Sequence, residues 1–218
     1  MIVTGIDGCR GGWIAVTLDG ARASARTAAT LDLLGIGGGV VGIDMPLGLL
    51  PAGWRTADAL ARRALGRRGA SVFAIPPRPV LAAPDYATAN RMCRELTGKG
   101  LSVQAWGLRS RLLEADRFRR GSPDRLFEVH PELSFAELRG GPLPDTKHSA
   151  AGLAARRALL RGAGIVLPAR VAGAAEDDLL DAAAVAWSAR RIAAGTARVL
   201  PDPPAQRDDD GFEIAIWY

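Results

Sequence analysis

Two short apolar runs, IVTGID ending at Asp7 and VVGID ending at Asp44, each stop on an aspartate. An apolar run of this length reads as a strand, and an acid at its end is placed to aim a carboxylate inward. Residues 2–7, 13–19 and 22–27 read as three strands joined by GCRGG and by a tight turn at Gly20. A short helix around 30–34 leads to the fourth strand, VVGID, whose unbroken apolar character suits a strand buried on both faces. The order is therefore β-β-β-α-β, which predicts an α/β class with a mixed central sheet.

Residues 46–122 read as a largely helical insertion. TADALARRALG has helical spacing with Thr56 at the expected N-cap, and the loop SVFAIPPRPVLAAP is followed by amphipathic stretches at 85–97 and 103–120. RLFEV reads as a fifth strand, PELSFAELRG as a helix opened by proline, and 149–163 and 176–194 as Ala-rich helices. The tail FEIAIWY alternates like an edge strand. No repeat or low-complexity linker interrupts the chain, so one domain over 1–218 with its insertion is the economical expectation.

The acids are the chemical signal. FEVHPE carries Glu128 and Glu132, and EDDLLDA carries Asp177, Asp178 and Asp181, three and four residues apart on one helix face. Two carboxylates about 4 Å apart repel by roughly 4 kcal/mol at an effective dielectric near 20, so a cation is the usual remedy. Hard oxygen ligands select Mg2+ or Mn2+ rather than zinc. Glu132, just past Pro131, is either a ligand or a partner for a helix N-terminus. Asp177 is expected to cap the last helix while Asp178 and Asp181 point inward. His130 is either a proton shuttle or a satisfied structural group.

Composition limits the other classes. Net charge is +5 with a pI near 10, but nearly all of the 28 cations are arginine in an Ala- and Gly-rich chain. That bias lends nucleic-acid binding only modest support. Lysine occurs only at Lys99 and Lys147, and a compact ammonium is not interchangeable with a planar guanidinium. Lys147 lies in the polar turn PDTKHS after the HPE motif and is a candidate for the site; Lys99 lies in the turn TGKG. Cys9 and Cys93 are too few for a disulfide framework or a zinc site, although Cys9 is close to Asp7. The five tryptophans, Trp13, Trp54, Trp106, Trp187 and Trp217, read as core rather than as base-stacking platforms. Gly, Pro or Arg interrupts every apolar run, and MIVTGID shows no basic-then-apolar leader, so a cytoplasmic address without membrane contact is expected.

Taken together, GIDGCRGGW, GIDMPLGL, SVFAIPPR, FEVHPELSF with its following TKH, and EDDLLDA resemble the motif series of the domain of unknown function 429 family. The resemblance runs from the first strand to the terminal IWY. It implies a ribonuclease H-like three-layer fold, in which the first and fourth strands are neighbours and Asp7 meets Asp44. The Asp178–Asp181–Ala182 helix also looks like the D-x-x-D-A helix of RuvC-type resolvases.

What the resemblance implies is a nuclease that hydrolyses phosphodiester bonds of DNA or RNA with two divalent ions. Its ligands would be Asp7, Asp44, Glu132, Asp178 and Asp181, with Lys147 catalytic and Arg10, Arg78 and His130 as substrate-binding support. Ala57 stands before Asp58 where the family often has cysteine, and Thr146, Lys147 and His148 stand where Ser-Lys-Lys is usual. These departures spare the carboxylates. A small-molecule or nucleotide phosphoryl-transfer enzyme on the same fold, and a non-catalytic binding protein, are the alternatives. The chain has no Walker-type phosphate loop to favour the first of these.

Overall fold

The computed structural model describes residues 1–121 and 125–218 and is α/β, built on a mixed five-stranded sheet. In chain order it carries strands β1 (Ile2–Cys9), β2 (Gly12–Asp19), β3 (Arg22–Ala28) and β4 (Val40–Ile43). Helices α1 (Thr56–Leu65), α2 (Arg78–Leu81), α3 (Tyr86–Thr97), α4 (Val103–Gly107) and α5 (Arg109–Arg120) follow. Strand β5 (Leu126–Glu128) then precedes helices α6 (Pro131–Arg139), α7 (Ala150–Gly162) and α8 (Glu176–Ala193). Contacts group the chain into two compact units. Unit 1 is Met1–Met45, Asp124–Arg198 and Trp217–Tyr218; unit 2 is Pro46–Pro123 and Val199–Ile216. The expected end of the insertion at 122 lies outside the described residues.

Unit 1 holds the sheet, in the order β3-β2-β1-β4-β5. β1 pairs antiparallel with β2 and parallel with β4, and β4 pairs parallel with β5. Strand β1 is central because it is apolar on both faces. Val3, Gly5, Asp7 and Cys9 alternate onto one face, and Thr4, Ile6 and Gly8 onto the other. The first face packs with Ile14, Val16 and Leu18 of β2 against Phe135 of α6, Leu160 of α7 and the alanine-rich side of α8.

Close approach is what lets α8 lie on the sheet. A Cβ on Gly5 would fall 2.1 Å from Ala186 N and 2.2 Å from Ala182 O, inside the helix backbone. On β4, a Cβ on Gly42 would fall 2.8 Å from Val185 Cγ1. Glycine under alanine brings the helix axis unusually near the strands, so side chains at its start reach the strand ends.

Unit 2 contains α1 to α5 together with an antiparallel pair of two-residue strands, Gln206–Arg207 with Glu213–Ile214. Here three local expectations change. Thr56 is the first residue of α1 rather than its cap; its N–H is taken by Gln206 Oε1 at 2.6 Å, a side chain remote in sequence. The helix expected at 103–120 is broken at Leu108, whose N–H is shared between Gln104 O and Ala105 O. The tail pairs only in two-residue pieces, with Ile214 turned into the core. In unit 1, the helix expected near 30–34 is a single 3-10 turn, Asp32–Leu34, stopped by Gly35 in the left-handed conformation. Val129 meets Trp217 in a parallel bridge, and Phe127 packs edge-on against Trp217 at 5.6 Å. Among the described residues no helix is long and apolar enough to cross a membrane.

Candidate functional site

The site grows from the parallel pairing of β1 with β4. Ile6 opposes Ile43, and Asp44 N–H donates to Ile6 O at 2.8 Å, which brings the ends of the two strands level. Asp7, 7% exposed, faces α8 and accepts the Gly8 N–H at 2.7 Å. Its carboxyl also hydrogen-bonds that of Asp44. On α8, Asp181 lies one residue before Ala182, which rides over Gly5, and it is 3% exposed. Its Oδ2 accepts from Lys147 Nζ at 2.7 Å. Its Oδ1 makes no hydrogen bond among the described residues.

Burial and mutual repulsion dominate the electrostatics. Asp7 is raised well above the ordinary aspartate value, first by burial and then by Asp44 and Asp181. Asp44 is pushed up to about 8 by burial and by Asp181, with Glu128 adding to the rise. Asp181 rises to about 6 through burial, held down by the Lys147 ammonium. Burial alone would depress Lys147, but Asp181, Asp7 and Asp44 together push it above the ordinary lysine range. Two buried carboxylates and the half-buried Asp44 thus share one ammonium. Fully ionised, the cluster is short of positive charge, and that shortage is its main chemical property.

The remaining candidates divide. Glu128 ends β5 opposite Ile43, is 6% exposed, and is felt by Asp44, although the ligand set implied by the resemblance leaves it out. Glu132 sits in the first turn of α6 and is close enough to raise Asp181, but its Oε1 is bound by the fully buried Arg156 guanidinium. Asp178 reaches back to the Ala175 N–H at 3.0 Å and caps α8. It takes the role expected of Asp177, which instead meets His148 Nδ1 at 3.4 Å.

His130 occupies the N-cap position of α6, its carbonyl accepting the Leu133 and Ser134 N–H groups. Arg10 is exposed at the tip of the β1–β2 hairpin. Arg78, in unit 2, makes a two-pronged ion pair with Asp116 at 2.5 and 2.9 Å. Cys9 is buried on the same sheet face as Asp7, within the apolar cluster.

Arg156 is the residue the sequence did not single out. Its signal was present: it lies on the buried stripe of α7 between Gly152 and Leu160, four residues from each. An arginine in that register needs a carboxylate, and Glu132 supplies it. The donor set of the cluster suits a hard divalent cation, since all of its oxygens are carboxylate and Asp181 Oδ1 has a lone pair to give. Among the described residues, however, no three His, Cys, Asp or Glu side chains are already arranged to grip a single ion.

The chain belongs to the family described as protein of unknown function (DUF429), whose model matches residues 5–206. No curated protein and no solved structure matches the chain.

Proposed function

We propose that this protein is a divalent-metal-dependent hydrolase of phosphodiester bonds, a nuclease on a ribonuclease H-like fold. The observation that carries the proposal is the convergence of Asp7, Asp44 and Asp181 around one ammonium, with more buried negative charge than Lys147 can balance. The strand order β3-β2-β1-β4-β5, with three antiparallel strands followed by parallel ones, supports the fold reading.

In this reading Asp7, Asp44 and Asp181 hold Mg2+ or Mn2+, with Glu128 and Glu132 as the nearest further carboxylates. A divalent ion so held supplies charge stabilisation at the phosphate and a more acidic bound water. The protein's own part is to keep those oxygens dry and oriented. Asp181 Oδ2 stays on Lys147, leaving Oδ1 available. Lys147 is about one third exposed, so its ammonium can meet a phosphate oxygen while still bound to Asp181. Arg156 fixes Glu132 and limits how far that carboxylate can swing.

The test is cleavage of single-stranded, duplex and branched DNA and RNA by purified protein with Mn2+ or Mg2+, with Asp44→Asn as control. Metal-dependent cleavage lost in the variant supports the proposal; no cleavage of any substrate, together with no Mn2+ heat in calorimetry, defeats it. One observation favours a second reading, a non-catalytic binding protein: Lys147 already offsets part of the cluster charge. That reading expects no Mn2+ binding and no thermal shift.

A further inference from the structure

Unit 2 encloses a cleft of about 570 Å³ built from its own residues. The volume lies within the range of small-ligand sites. Its chemistry is specific. Arg55, Arg62 and Lys99 line it against a single carboxylate, Asp58. That carboxylate is already engaged at the buried floor, 3.5 Å from Arg55 Nε and accepting the Ile75 N–H at 3.0 Å. The two exposed cations, Arg62, whose Nε donates to Gly69 O at 3.4 Å, and Lys99 face the cleft with no second acid in its wall.

The same wall carries two half-buried aromatic rings, Trp54 and Phe73. Trp54 is placed through its carbonyl, which accepts from Gln206 Nε2 at 3.2 Å. Its indole Nε1 is buried and has no hydrogen-bond partner among the described residues. Lys99 is one of only two lysines in the chain, and its turn is fastened by Thr97 Oγ1, which accepts the Lys99 N–H at 3.2 Å. A compact ammonium on a tied turn suits a phosphate oxygen.

We infer that this cleft binds a nucleoside phosphate, with Arg62 and Lys99 on the phosphate and the base against Trp54 and Phe73. Aromatic faces accept any base, and the cations require the charged group. The inference rests on unit 2 alone and does not depend on the carboxylate cluster being catalytic. A free nucleotide and the terminal nucleotide of a strand share this chemistry.

The experiment is calorimetric titration of the full chain with AMP, GMP, CMP and UMP, with adenosine, with inorganic phosphate and with a 5′-phosphorylated single-stranded tetranucleotide. A mononucleotide should bind at least tenfold more tightly than either adenosine or phosphate alone. The Arg62→Ala/Lys99→Ala variant should lose at least tenfold in affinity while still unfolding cooperatively, since both side chains are exposed and Arg62 gives up only its 3.4 Å bond to Gly69 O and its action on Asp58. Trp54→Phe, which keeps a smaller ring, should weaken binding by a smaller factor. Asp44→Asn should bind like the parent protein, which separates this site from the proposed hydrolysis. A tetranucleotide that binds more tightly than any mononucleotide assigns the cleft to a strand end; equal affinity assigns it to free nucleotides. Absence of mononucleotide binding at millimolar concentration, or parental affinity in the double variant, overturns the inference.

Discussion

The two units treat buried acid in opposite ways. In unit 2 each buried carboxylate meets at least one guanidinium: Asp58 meets Arg55, Asp116 meets Arg78 and Arg120, and Asp208 meets Arg119 at 3.7 Å. In unit 1, Asp7, Asp44 and Asp181 share Lys147, whereas Glu132 is held by Arg156. Formal charge shows the same division by other means. Unit 1 holds thirteen Lys and Arg against thirteen Asp and Glu, whereas unit 2 holds fifteen against ten, so the whole surplus of +5 belongs to unit 2. Pairing with guanidinium groups neutralises charge in place and is what a structural core requires. Pooled, under-neutralised acid is costly to fold and is characteristic of a site that awaits a cation.

The sharpest way to break this comparison is to remove one pooled acid. Asp44→Asn should cut metal-dependent cleavage on the order of a thousandfold or more. It should also raise thermal stability at pH 8, because a repelling charge is lost. A variant that keeps activity, or melts well below the parent, would place Asp44 among structural acids instead. Next in size is Gly5→Ala, whose methyl group would collide with the backbone of α8. A loss of about 3 kcal/mol or more is expected in urea denaturation, accompanied by weakened Mn2+ binding as Asp181 is displaced.

A paired acid should behave differently. Asp116→Asn is expected to cost about 1.5–3 kcal/mol by chemical denaturation, through loss of its charged hydrogen bonds to Arg78, and to leave Mn2+ affinity unchanged. If Mn2+ affinity fell with it, Arg78 and Asp116 would have to be counted with the carboxylate site.

The smallest expected effect is on pH dependence. Asp44 and Asp181 have folded values near 8 and 6 against an ordinary 3.8, so the folded state binds more protons than the unfolded one between those limits. Their contribution to stability is present in full below about pH 4 and fades as pH rises through 6 and 8. The melting temperature of metal-free protein should fall on the order of 5 °C between pH 5.5 and 8.5, with Mn2+ reversing the fall and the Asp44→Asn substitution flattening it. A melting temperature that rises across this window would contradict the pooled-charge account.

Much of this arrangement was legible in the chain. Asp7 and Asp44 declared themselves by ending apolar strands, and the β-β-β-α-β order forecast a mixed sheet. Choosing between Asp178 and Asp181 was beyond helical spacing alone, since residues three apart share a face. The choice came from the seating of Ala182 and Ala186 over Gly5, which turns Asp181 to the strand ends and leaves Asp178 to cap the helix. The resemblance offered Arg78 as substrate support, and its ion pair with Asp116, 38 residues away in sequence, could not be read from any local pattern. The Gln206 bond to the start of α1, 150 residues distant, was invisible for the same reason.

By itself, then, the sequence determined the secondary elements of the sheet, the acids at their ends and the scarcity of lysine, because these depend on local periodicity and residue chemistry. Only tertiary structure decided which acids pool and which are paired, that Lys147 serves the pool, and that Trp54, Arg62 and Lys99 line one cleft. Charge balance is a property of neighbours in space. Neighbours separated by dozens of residues are set by packing, which no local pattern records.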